Sequence, residues 1–123
     1  MPQIRVEFSQ GSISPGAARD LAFALHHALA PVLETDLPSF KTRLVCLEDF
    51  AIGGGPSSEG MIHVELGVLA GRSDEVKGRA AGLALATAQA CLAREETGSS
   101  LQLTVEVRDM DRSSYRKFVR TGQ

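Results

Sequence analysis

The most informative candidate for moving a proton stands at the start of this chain. The sequence opens Met1-Pro2-Gln3-Ile4-Arg5-Val6. Removal of Met1 would make Pro2 the first residue and turn its nitrogen from an amide into a free secondary amine. Such an amine sits in a rigid ring, carries a lone pair, and has a pKa that burial and nearby cations lower. Held neutral, it can serve as a general base near neutral pH. Other candidates carry less chemistry. His26 and His27 are adjacent in a helical pattern and project about 100° apart, which suits surface or interface positions and not a shared metal. His63 alternates with apolar neighbours on a strand, as a hydrogen-bonded structural histidine would. Cys46 and Cys91 are the two cysteines; they fall in a strand and a helix pattern and read as small buried hydrophobes. No Gly-x-Ser-x-Gly elbow marks a nucleophilic serine. Gly53-Gly54-Gly55-Pro56-Ser57-Ser58 precedes a strand where a phosphate cradle would precede a helix, so it reads as a connection.

Length and charge limit what these residues can belong to. The 123 residues suit one domain spanning 1–123. A chain of this size buries roughly two-thirds of its unfolded surface and needs no covalent staple. Hydrophobic residues make up 43%, yet no apolar run approaches the roughly 20 residues of a membrane span. The start lacks a basic segment followed by an apolar one, so no secretory signal, no membrane partner and a cytoplasmic location are expected. Net charge is −2 with pI near 5.9. A nucleic-acid binder would need a basic stripe; a local basic pocket for a small anion remains compatible with this charge.

The elements that must hold Pro2 in place follow from a duplicated pattern. Ile4-Arg5-Val6-Glu7-Phe8 matches Ile62-His63-Val64-Glu65-Leu66 at an offset of 58 residues. Val45-Cys46-Leu47-Glu48 falls on Leu103-Thr104-Val105-Glu106 at the same offset. Each half, about 2–52 and 60–110, reads strand, helix, strand, and a tail of 111–123 follows. In the first half Ile4, Val6 and Phe8 alternate with Arg5, Glu7 and Ser9. Ser14 reads as an N-cap with Pro15 at the first helical position. Ala18, Leu21, Ala22, Leu25, Ala28, Leu29 and Val32 form an apolar stripe. Pro31 and Pro38 are expected to mark the helix end and the following turn, before a strand over about Thr42 to Asp49. In the second half Ile62, Val64, Leu66 and Val68 predict a strand. Ser73 predicts a cap with Asp74 and Glu75 in the first turn. Val76, Ala80, Leu83, Ala84, Thr87 and Cys91 share a helix face, and Gly98 is expected to stop that helix. Leu101, Leu103, Val105 and Val107 mark the last strand. Tyr115 to Val119 could add a short edge segment.

Two right-handed strand–helix–strand units predict an α/β (α+β) domain, a four-stranded mixed sheet with both helices on one face. Aromatic residues are scarce and Trp is absent. The core is therefore expected to be thin and the open sheet face to be covered by other subunits.

Pro2, this duplicated β-α-β unit, the stretch His63-Val64-Glu65-Leu66 to Gly71-Arg72-Ser73 and the strand Thr104-Val105-Glu106-Val107 resemble the tautomerase superfamily. The resemblance is nearest to 5-carboxymethyl-2-hydroxymuconate isomerase and covers almost the whole chain. It implies a homotrimer with sites near subunit boundaries, no metal and no organic cofactor. It also implies a small anionic polycarboxylate substrate in aromatic-compound breakdown. The reaction it implies shifts a proton along a 2-hydroxymuconate-type dienol to give the 2-oxo unsaturated acid. A decarboxylase or dehalogenase of the same superfamily would use the same proline. A non-catalytic oligomeric module is the reading from another class.

Under this resemblance Pro2 is the base and Arg72 its catalytic partner and carboxylate ligand, working beside the N-terminal amides of the helix that Ser73 caps. Lys41 and Arg43 match an Arg-x-Arg stretch whose first arginine is functional in the family. Lysine keeps the charge and loses the bidentate fork, so either Lys41 or Arg43 would bind substrate. Phe50 matches a bulky aromatic that can wall the pocket. The tail, Tyr115-Arg116-Lys117-Phe118-Val119, departs from the asparagines often found there.

Overall fold

A computed structural model describes residues 1–95 and 100–122. Strand β1 (Gln3–Ser9) starts immediately after Pro2. It is followed by helix α1 (Pro15–Leu33), strand β2 (Lys41–Leu47), strand β3 (Gly60–Leu69), helix α2 (Asp74–Leu92) and strand β4 (Leu101–Met110). The sheet order is β2-β1-β3-β4. β1 runs parallel to β2, antiparallel to β3, and β3 runs parallel to β4. The expected mixed sheet is therefore present, with both helices on one side.

The pairing exposes the duplication directly. Val6 sits opposite Val64, Ile4 opposite Leu66 and Phe8 opposite Ile62, so the two copies meet about a local twofold axis between the valines. The second strands follow a different phase. Leu44 flanks Val6 and Val105 flanks Val64, which makes Leu44 and Val105 the equivalents. The offset of 58 instead sets Val45, which shares a face with Glu7, on Leu103, which shares a face with Ile62. That part of the repeat reading is corrected: a strand slipped by an odd number of residues turns its side chains to the other face.

Capping matches the sequence. Ser14 Oγ accepts the Ala17 N–H at 3.0 Å, and Ser73 Oγ accepts the Val76 N–H at 3.2 Å. Pro31 does not end α1; it lies inside the last turn. Its missing N–H removes only the bond to an exposed carbonyl at His27, which water can serve. The helix closes instead at Glu34, held at φ 50°, while the Thr35 N–H reaches back to the Ala30 carbonyl at 3.0 Å, a Schellman-type ending. Pro38 lies in a 3₁₀ turn, Leu37–Ser39. α2 ends at Leu92, and Gly98 lies outside the described residues. Tyr115 to Val119 form no strand; a 3₁₀ turn at Arg112–Ser114 precedes them.

The core joins Ile4, Val6, Phe8, Ile62, Val64, Leu66 and Val68 of the sheet to Leu21, Leu25, Leu29 and Leu33 of α1. α2 contributes Ala80, Ala84 and Ala88. His26, expected at a surface or interface position, is partly buried within the chain: Nε2 lies 2.7 Å from Thr42 Oγ1 and its ring stacks on Phe40. The open sheet face is polar. Arg43, Arg5, Glu65 and Glu106 line up across all four strands, so any subunit covering it would meet charges.

Candidate active site

Pro2 is fully buried where the sheet begins. Its carbonyl accepts the Lys41 N–H at 3.3 Å, which ties the chain start to the first residue of β2. Met1 is present, so the Pro2 nitrogen is an amide here and the free amine belongs to Met1. That amine is held below its ordinary pKa of 8.0, first by burial and then by the charges of Arg72, Lys117, Lys41 and Arg112. Desolvation and cations both disfavour the ammonium form. These charges come from three parts of the chain: the β3–α2 connection, the start of β2 and the tail, which supplies both Arg112 and Lys117.

Arg72 is placed by Ser73, which caps α2 just after it. Its guanidinium turns to the other helix. Nη2 donates to the Leu33 carbonyl at 2.9 Å and to Thr35 Oγ1 at 3.5 Å, while Nη1 donates to the Leu69 carbonyl at 3.3 Å. The cation therefore stands at the carbonyl-rich end of α1, where a positive charge is favourable. The sequence had set it beside the start of α2. Part of its five-donor fork remains for a ligand.

Lys41 and Arg43 are separated by the structure. Lys41 Nζ donates to the carbonyls of Pro38 and Ser39 at 3.3 and 3.2 Å and acts on the chain-start amine. Arg43 points to the same sheet face one pair further along, where Nη1 donates to Gln3 Oε1 at 2.5 Å. Phe50 lies past the opposite end of β2, beside Ser9, Ser57 and Gly60. The seven residues of β1 put that end about 20 Å from Pro2 at the usual strand rise. Within one chain Phe50 therefore does not join the other four.

Two cations near the chain start went unassigned in the sequence: Arg112 and Lys117. Arg112 Nε donates to the Ala70 carbonyl and lies beside Gly71, whose φ of +129° is a backbone conformation that residues with a side chain rarely adopt. Asp111 shapes the turn by accepting from the Ser113 N–H at 3.0 Å and the Ser113 hydroxyl at 2.8 Å. These bonds, the backbone one first, hold its carboxyl below the usual range. The available signal was the density of positive charge in Arg112, Arg116, Lys117 and Arg120. The tail, Lys41, Gln3 and Tyr115 enclose an open groove of about 760 Å³. An amine, several cations and a groove can together bind a small polyanion and move a proton on it.

His63 carries the expected hydrogen bond, Nδ1 to Thr104 Oγ1 at 2.6 Å. It also forms an open-face cluster with Glu65 and Glu106. Arg108 Nε lies 4.0 Å from Glu65 and 3.4 Å from Glu106, so this cluster is an ionic network with its own counter-charge. No helix among the described residues is long and apolar enough to cross a membrane.

The pattern of 5-carboxymethyl-2-hydroxymuconate isomerase matches residues 2–119. This chain belongs to that family. Membership makes it a tautomerase-type isomerase, and solved structures agree with the fold. A 5-carboxymethyl-2-hydroxymuconate isomerase from Deinococcus radiodurans R1 superposes with a TM-score of 0.82 at 21% identity, over 97% of this chain and 90% of that one. A 5-carboxymethyl-2-hydroxymuconate delta-isomerase gives 0.70 at 20%, over 100% and 95%. A fused 4-OT described as a symmetric trimer gives 0.70 at 23%, over 90% and 87%. No curated protein sequence matches the chain.

Proposed function

We propose that the chain, once Met1 is removed, isomerises a 2-hydroxymuconate-type dienol polycarboxylate with Pro2 as the general base. The observation that carries this reading is the chain-start amine, partly buried and held below its ordinary pKa first by that burial and then by the charges of Arg72, Lys117, Lys41 and Arg112. Trimming moves the amine one residue inward, onto the Pro2 ring. The neutral nitrogen takes the proton from the enol oxygen, and the C–O bond becomes a carbonyl as the double bonds shift along the chain. The same ring ammonium then returns the proton to carbon, so no net proton is consumed. Arg72 and Lys41 hold carboxylates and offset charge that grows on the 2-oxo end. Arg43 lies further from the amine and is the weaker of the two β2 candidates.

A trimer suits the reading, because the open sheet face lacks cover and a similar fold is a symmetric trimer. Phe50 could wall a site only from a neighbouring subunit. The proposed substrate needs no metal or organic cofactor, and the site has no role for nucleic acid or membrane.

The experiment is turnover of 2-hydroxymuconate substrates by Met1-free protein and two variants. Pro2→Ala keeps a primary amine and should lower kcat by about 10²-fold, within the usual reach of acid–base catalysis. Arg72→Ala should weaken carboxylate binding by roughly 1.5–3 kcal/mol. Unchanged turnover in Pro2→Ala would defeat the assignment.

A further inference from the structure

The tail gives the site a cation that its strands and helices do not supply. After β4 the chain makes its 3₁₀ turn, anchored by Arg112 on the Ala70 carbonyl and by Asp111 on Ser113. Tyr115 Oη then accepts from Gln3 Nε2 at 3.4 Å, which fastens the tail to the start of β1. Arg116 Nη1 donates to the carbonyls of Ser113 and Tyr115 at 3.1 and 2.9 Å, which stiffens this segment. The next residue, Lys117, is thereby delivered to the chain start, with Nζ 3.4 Å from Met1 Sδ. A thioether is a weak acceptor and leaves the ammonium's donors largely free. Lys117 thus touches the residue next to Pro2, the one that trimming would remove.

We propose that Lys117 is a substrate-binding residue that grips a carboxylate of the ligand held at the Pro2 amine. This rests on the reading of Pro2 as a free amine. The groove that Lys117 lines also holds Lys41, Arg116, Arg120 and Asp36. A carboxylate placed there meets more cations than acids, which favours an anion over a neutral group. Lysine is a point charge without a fixed fork, so it selects for charge and tolerates variation in the length of the substrate.

The test measures covalent labelling, so it needs no turnover. Met1-free protein is treated with 2-oxo-3-pentynoate or its methyl ester. The amine adds to the alkyne, a C–N bond forms, and the N–H proton passes to the carbon beside the ketone. Rates are taken over a pH series and compared at the fully unprotonated amine, which removes any change in its pKa. Lys117→Ala should slow labelling by the acid about fivefold, the scale of one exposed charged contact, and leave the ester rate unchanged. Lys117→Arg should restore the acid rate, and Lys117→Glu should slow it further. Equal rates for acid and ester across all variants would overturn the role of Lys117 while leaving Pro2 intact. Absence of any label on the first residue of the parent protein would overturn both.

Discussion

The two halves of this chain share a frame and differ in chemistry. Pro2 begins one copy, and Gly60 holds the corresponding place in the other, since Val6 and Val64 mark the axis between them. Around the chain start stand Arg72, Lys117, Lys41 and Arg112. Around Gly60 stand Ser9, Ser12, Ser57, Ser58 and Ser100, with Glu59 supplying the charge. The Gly60 N–H is spent on the Ser100 carbonyl at 2.8 Å. Only a chain terminus can offer a backbone amine, so duplication could copy the scaffold and not that group. The cations collected at the end where a base was possible.

The helices differ in the same way. α1 buries leucines and α2 buries alanines. The small side chains bury less apolar area, and Leu101, Leu103, Val105 and Val107 are only partly covered. The half that begins at Pro2 is thus the better packed half.

Three changes would break or sharpen this contrast. The largest effect is expected in α1. Leu25→Ala empties a site with no exposure and should cost about 2–5 kcal/mol in chemical denaturation, whereas α2 has no leucine buried to that degree. Gly60→Ala comes next. Its new Cβ would lie 3.1 Å from Ser9 Oγ, 3.2 Å from Ser12 Cβ and 3.3 Å from Leu101 Cδ1. The crowding should cost about 1–3 kcal/mol while turnover per folded molecule stays as before. A loss of turnover without a loss of stability would place chemistry at the second end.

The smallest effect concerns pH. Burial, and then the charge of His27, hold the His26 ring below its ordinary 6.5. The unfolded chain therefore takes up the proton first as pH falls. Stability is fully present above about pH 6.5 and declines as pH drops through the folded-state value. Denaturation midpoints of the parent should fall more between about pH 7 and 5.5 than those of His26→Gln. The corresponding position in α2 is Leu85, which is exposed and does not titrate, so this sensitivity belongs to the first half.

Much of the frame was legible because it is written in alternation and caps. Ile4, Val6 and Phe8, then Ile62, Val64, Leu66 and Val68, carry period two without ambiguity, and Ser14 and Ser73 announce both helices. The phase of β2 was not legible. Leu44, Val45, Cys46 and Leu47 are apolar in succession, so either face could have been the inner one. Pro31 misled because its position in the last turn removed its usual cost. The candidate site was legible where a residue adjoins a readable element, as Pro2 adjoins β1 and Arg72 adjoins the Ser73 cap. Lys117 and Arg112 were missed because a tail without periodicity says nothing of where it folds back. Only the bonds from Tyr115 to Gln3 and from Arg112 to Ala70 decide that.

The most direct test of the account is the pKa of the Pro2 amine in Met1-free protein, followed by ¹⁵N resonance of the labelled proline over pH. A buried amine among four cations should titrate below the ordinary α-amine value of about 8, move upward when Arg72 or Lys41 is replaced by alanine, and match the acid limb of kcat/KM. An amine titrating at or above that ordinary value, and indifferent to both substitutions, would contradict it.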